Sequence, residues 1–272
     1  MKIGCCIPGA PYVLADGTPS PAGTAELIVH GYRTARQAGY DYIECSAGML
    51  LRLTEDELQC LAALAGQGDL HLESCNVFVP GDMPLVGPQR VDVRDHVREV
   101  CRRMQLVGAK VIVFGSGGAR RVPDGVDAQT AQAHIEEFLR VAAEIAAAYD
   151  VTIAIEPLNQ RECNVLTGLA EAAGYVQRLN LPNVRLLADA YHMEAEGETP
   201  AMLTGYADVL AHVHVAEPQA RTYPGSREGA YLQEMGRMLR QLGYTGRVSI
   251  ECRFDNFAAE CAQALPFMRA HY

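Results

Sequence analysis

A (β/α)8 barrel is the α/β fold that the sequence predicts. Three observations carry it: eight short β-branched apolar runs, amphipathic patterns between them, and a length of 272 residues against the ~250 typical of this architecture. The runs, in order, are "KIGCCIP", "DYIECSA", "LESCNVFVP", "KVIVFGSGG", "VTIAIEPL", "VRLLADAYH", "AHVHVAEP" and "RVSIECRF". Alternation of such runs with helical segments implies βα units and parallel pairing. Between the third and fifth runs the apolar positions of Asp92 to Ala109 and of Ala131 to Tyr149 recur at three- and four-residue intervals, which predicts two helices. The segments "AGYDYIE", "VGAKVIV" and "LGYTGRVSIE" each place a glycine just before a new strand, where a left-handed helix cap is expected. The chain is read as one domain over residues 1–272, with an open doubly wound sheet as the structural alternative.

Composition narrows the partners. An apolar content of 49% is ample for a large core, and a net charge of −10 argues against a phosphate-backbone binder. A small molecule is therefore expected, with neither nucleic acid nor membrane as partner. The nine cysteines lack CxxC spacing and read as reduced thiols packed as small hydrophobes. The N-terminal "MKIGCCIPGAP" is too short an apolar run for a signal peptide, and no segment reaches the ~18 apolar residues of a membrane span. A cytoplasmic protein is expected.

In a barrel of this kind chemistry gathers at the C-terminal ends of the strands, and the polar residues gather there too. Strand five ends in Glu156, strand six in Asp189, strand seven in His214 and strand eight in Glu251. Alternation along each strand puts these side chains on corresponding faces, so that facing inward they converge on the mouth. Three unpaired carboxylates there would repel one another and raise one another's pKa values. A divalent cation removes the conflict. Oxygen-rich ligation with one imidazole suits Mn²⁺, Mg²⁺ or Co²⁺ better than a thiolate-preferring structural Zn²⁺ site; Mn²⁺ is the ion expected, with Mg²⁺, Co²⁺ or Zn²⁺ as alternatives. The competing reading has each acidic residue capping a helix or pairing with arginine.

Other marks have plainer readings. "FGSGGARR", from Phe114 to Arg121, is expected to be an ordinary loop, with a phosphate or sugar contact as the alternative. Glu44 either lines the mouth or is a solvated loop carboxylate. His212 is expected to be a hydrogen-bonded core histidine, His71 a structural one, and Glu194, Glu196 and Glu198 a solvated face. Cys163 and Cys252 flank the proposed site, without the electropositive setting that a nucleophilic thiol needs.

The motifs "IEPLNQRE", "LLADAYHM", "HVHVAEP" with a following "PG", and "GYTGRVSIE" resemble the xylose isomerase-like TIM barrel superfamily of sugar phosphate isomerases and epimerases. Within it the likeness is greatest to the D-tagatose and D-psicose 3-epimerase group. The resemblance implies that Glu156, Asp189, His214 and Glu251 are metal ligands, that Glu156 and Glu251 face opposite sides of a bound ketose, and that Glu162 and His192 bind substrate. It also implies a sugar or polyol ketone as partner and a homodimer or homotetramer. One departure concerns the arginine usual six residues after the histidine ligand. That position holds Ala220, and the arginine is Arg221. Either Arg221 serves from a loop one residue longer, or the far end of the substrate is read differently.

The chemistry expected is proton transfer next to a ketose carbonyl through an enediolate. One carboxylate removes the proton and another returns one on the opposite face. A dehydratase of keto-inositol or dehydroshikimate type and a catalytically silent sugar-binding barrel are the alternatives. A DNA-repair hydrolase is disfavoured because "QARTYPGSREG" lacks the further ligands a three-metal cluster needs.

Overall fold

The structure, a computed structural model, describes residues 1–12, 14 and 17–272. Eight parallel strands close into a barrel in sequence order. They are β1 (Lys2–Cys6), β2 (Tyr42–Ser46), β3 (Leu72–Asn76), β4 (Val111–Phe114), β5 (Thr152–Ile155), β6 (Val184–Asp189), β7 (Leu210–Val215) and β8 (Arg247–Ile250). Closure is made by β1 against β8, from Lys2 opposite Arg247 to Cys5 opposite Ile250. The open sheet is thereby excluded. Each strand feeds a helix that packs back on the outside, and the main core fills the layer between sheet and helices.

The two helices expected from periodicity are present with shifted starts. Asp92 lies outside its helix, Arg94–Val107, because its carboxylate accepts the Arg94 amide at 3.0 Å. The helix Ala128–Ala147 begins earlier than expected because Asp127 accepts the Thr130 amide at 2.9 Å and so satisfies a free N-terminal donor. The three glycines before strands, Gly39, Gly108 and Gly243, have φ of 109°, 84° and 68°, the left-handed turn that ends a helix.

The barrel interior is divided. Val111, Val113, Ala154 and Leu187, from β4, β5 and β6, form a small apolar cluster of their own. Across from it β2, β3, β7 and β8 bury Glu44, Ser74, His212, His214 and Ser249. Such a polar filling is costly unless its atoms find partners; most of these partners lie in the site itself, and of these five side chains only His212 keeps an unpartnered atom, Nδ1. All nine cysteines are free thiols. No helix among the described residues is long and apolar enough to cross a membrane.

Candidate functional site

Strand ends place the four expected ligands at one point. Asp189 closes β6 and His214 is the penultimate residue of β7, while Glu156 and Glu251 follow β5 and β8 by one residue. Ligand atoms of all four lie within 4.8 Å of one another. His214 Nδ1 is 3.1 Å from Glu156 Oε1 and 3.7 Å from Glu251 Oε2, so the two glutamates flank the imidazole. Because β5 and β8 stand three strand positions apart in a ring of eight, their carboxylates approach the mouth from opposite sides. The glycine after β4 makes this possible: a Cβ at Gly115 would lie 2.2 Å from Glu156 Oε2.

Capping and clustering are both true of Asp189. Its Oδ1 accepts the amides of Tyr191 and His192 at 2.7 and 3.4 Å, at the start of the helix Ala190–Ala195. Its Oδ2 is buried without any hydrogen-bond partner. A buried orphan carboxylate oxygen is costly, and here it faces a cluster of two more carboxylates and an imidazole. That donor set, three oxygens and one nitrogen with one oxygen free, fits a hard or borderline divalent cation.

The charges within the cluster are out of their usual ranges. Burial, with Glu156 and Asp189 close by, raises the Glu251 carboxyl to about 7. Against the burial that lowers it, the carboxylates of Glu44 and Glu251 hold the His214 imidazole well above the ordinary histidine range. Without a cation, protons take over the task of neutralising the carboxylates.

Around the cluster the remaining expected residues converge. Arg221 donates to Glu251 Oε2 at 2.7 Å and to Glu162 Oε1 at 3.4 Å, and its guanidinium lies 4.7 Å from the centroid of the Tyr191 ring. A tight turn brings it back: the Arg221 amide bonds the Glu217 carbonyl at 2.8 Å, and its φ is +51°. His192 is buried, and its Nδ1 meets the Asn159 amide at 3.1 Å and the Asn159 side-chain amide at 2.9 Å. Two donors at Nδ1 put the ring proton on Nε2, which has no hydrogen-bond partner and lies 3.8 Å from Asp189 Oδ2. Glu162, Glu156, His192, Arg221 and Glu251 line one cavity of about 220 Å³, with Gly115 to Gly118 and Leu158 on one wall and Asn76, Val77 and Val79 on another.

Sequence reasoning missed Asn76 and Asn159. Asn76 donates to Glu251 Oε1 at 3.2 Å, and Asn159 donates to Glu162 Oε1 at 3.1 Å. A polar residue at the end of an otherwise apolar strand was the available signal for Asn76; Asn159 sits in a loop whose course no periodicity fixes. Glu44 is no solvated loop carboxylate, since its side chain is wholly buried. His212 is a buried, hydrogen-bonded histidine, 2.8 Å from Glu44 Oε2. Arg120 is likewise buried, donating to the carbonyls of Phe114, Glu156 and Leu166. It ties β4 to β5 beneath the mouth through its two terminal nitrogens.

Known proteins resemble the chain in sequence and in fold. A family model described as xylose isomerase-like TIM barrel matches residues 32–271. The chain is 26% identical over 255 residues to the 3-dehydro-D-guloside 4-epimerase of Escherichia coli (strain K12), covering 91% of this chain and 95% of that one. It is 26% identical over 221 residues to the D-psicose 3-epimerase of Agrobacterium fabrum, covering 78% and 75%. The crystal structure of D-psicose 3-epimerase with D-tagatose from Clostridium cellulolyticum H10 shares the fold, with a TM-score of 0.82 at 19% identity over 100% of this chain and 99% of that chain.

Proposed function

The chain belongs to the xylose isomerase-like TIM barrel family, and from that premise we propose that it is a divalent-metal-dependent epimerase of an unphosphorylated keto-sugar. The observation that carries the reading is the pair Glu156 and Glu251, set on opposite sides of the mouth and each within 3.7 Å of His214 Nδ1. Relatives named as epimerases of keto-sugars at carbon 3 and at carbon 4 support it. Both reactions invert a carbon beside a carbonyl.

Glu156, Asp189, His214 and Glu251 would hold the cation, Mn²⁺ in the first instance. Bound there, a cation supplies Lewis-acid stabilisation of the negative charge that develops on substrate oxygen. One flanking carboxylate takes the proton from the carbon next to the carbonyl, and the C–H electron pair moves into an enediolate. The other, having taken up a proton from solvent before the step, delivers it to the opposite face and inverts the centre. Each turnover exchanges the protonation states of the two carboxylates, which solvent then restores.

His192 Nε2–H, held by Asn159, is a donor for a sugar hydroxyl, and Glu162 an acceptor beside it. Arg221 orients Glu251 and closes the far wall. Among the described residues lining the cavity Arg221 is the one cation, and its two terminal nitrogens pair with Glu251 and Glu162. A phosphate group would have to displace those pairs, which favours a neutral substrate.

The test is proton NMR after incubating the Mn²⁺-loaded protein in D2O with D-fructose, D-psicose, D-tagatose, a 3-keto-glucoside and an inosose, with removal of the metal before recording. Loss of one carbon-bound proton signal beside the carbonyl is expected. It should be absent in Glu156→Gln and Glu251→Gln. Full exchange in both variants would sink the reading, and loss of water from the inosose would replace it with a dehydratase.

A further inference from the structure

Beneath the mouth lies a carboxylate that the proton-transfer chemistry does not use. Glu44, on β2, is completely buried. An ionised carboxylate in such a place is costly unless each oxygen is paired, and here four donors from three other strands meet it. Oε2 accepts from Ser74 Oγ at 2.6 Å, from Ser249 Oγ at 2.8 Å and from His212 Nε2 at 2.8 Å. Oε1 lies 3.0 Å from Nε2 of His214. The serine from β8 is itself fixed: because Ser249 gives its proton to Glu44, it accepts from the Tyr42 hydroxyl at 2.9 Å. The carboxylate is thus locked in position and orientation by β3, β7 and β8 together.

The structure assigns Glu44 a role as positioning residue for the metal centre: its carboxylate holds the proton of His214 on Nε2 and so turns the lone pair of Nδ1 toward Glu156, Asp189 and Glu251. An acceptor-only oxygen at Nε2 leaves that nitrogen no role except donor. A neutral carbonyl would fix the same tautomer. A carboxylate also makes the ring a stronger ligand, because its negative charge increases electron density on the opposite nitrogen. Cys6, Glu44 and His214 also bring ligand atoms within 4.8 Å of one another. They form no second cation site, since Nε2 of His214 and Oε1 of Glu44 already satisfy each other.

The inference rests on the metal reading above, and the experiment separates the two. Mn²⁺ affinity of the full chain is measured by competition with a chelating indicator for the wild type, Glu44→Gln and Ser74→Ala. Glu44→Gln keeps the volume and removes the charge; its Mn²⁺ affinity is expected to fall 10- to 100-fold, with a smaller rise in melting temperature on adding Mn²⁺. Ser74→Ala removes one of the three donors to Oε2 without touching His214 and is expected to weaken binding a few-fold. If the wild type binds Mn²⁺ and Glu44→Gln binds it within threefold, Glu44 is only a packed polar residue. No Mn²⁺ binding by the wild type would overturn the metal reading and this inference together. Should Glu44→Gln fail to fold, long-range ¹H–¹⁵N spectra of the Zn²⁺-loaded wild type decide. A proton on Nε2 of His214 is expected, and a proton on Nδ1 would refute the assignment.

Discussion

Acidification should weaken metal binding in a way that the position of Glu251 sets. In the metal-free fold its carboxyl titrates at about 7, chiefly through burial and through Glu156 and Asp189 nearby. A cation needs the ionised form, so below pH 7 binding must first release that proton. At pH 5.5 the release costs about 1.5 pH units, or ~2 kcal/mol at 1.36 kcal/mol per unit, which is an affinity roughly 30-fold lower than at pH 8. His214 acts in the same direction. Its imidazole, held well above the usual histidine range by Glu44 and Glu251 against the lowering effect of burial, must also give up a proton from Nδ1. The fall between pH 8 and pH 5.5 should therefore exceed that due to Glu251 alone. Calorimetric titration with Mn²⁺ in buffers of different ionisation enthalpy reads both the affinity and the protons released. More than one proton is expected at pH 5.5, and fewer at pH 8. An affinity that changes less than threefold across this range, with no proton release, would refute the account of how these carboxylates share charge.

Further outcomes follow from the same geometry. Gly115→Ala should fold, because the obstructing atom is the tip of a side chain, but its Cβ would meet Glu156 Oε2 at 2.2 Å; Mn²⁺ affinity should drop at least tenfold, while urea unfolding of the metal-free protein changes little. Arg120→Met should lower the unfolding free energy by about 2–4 kcal/mol, since it strands the buried carbonyl of Glu156 and takes one of two donors from that of Phe114; an unchanged denaturation midpoint would mean that water replaces it. Turnover of D-fructose 6-phosphate faster than of D-fructose would overturn the argument that the ion pairs of Arg221 disfavour a phosphate. Light scattering is expected to give two or four times the 29.5 kDa of one chain, and a monomer mass would reject the oligomer.

Read alone, the sequence determined the fold class and the register of the chemistry. Period-two alternation and repeated βα spacing are local properties, and they fix which face of β5, β6, β7 and β8 carries Glu156, Asp189, His214 and Glu251. Closure of the barrel then brings the ends of those strands together whatever the details of the loops. Helix starts were less legible, because Asp92 and Asp127 act through single side chain to amide bonds that apolar periodicity does not register. The tertiary structure alone decided what surrounds the cluster. Arg221 reaches Glu251 only through the turn at Glu217, and Asn159 reaches His192 from 33 residues away. Glu44 finds its partners on strands as much as 205 residues distant. Its meaning changed most for that reason: a carboxylate at a strand end reads from sequence as mouth lining or solvated loop, and only the joining of β2, β3, β7 and β8 around it decides that it is buried, saturated with donors and set against the ring of His214.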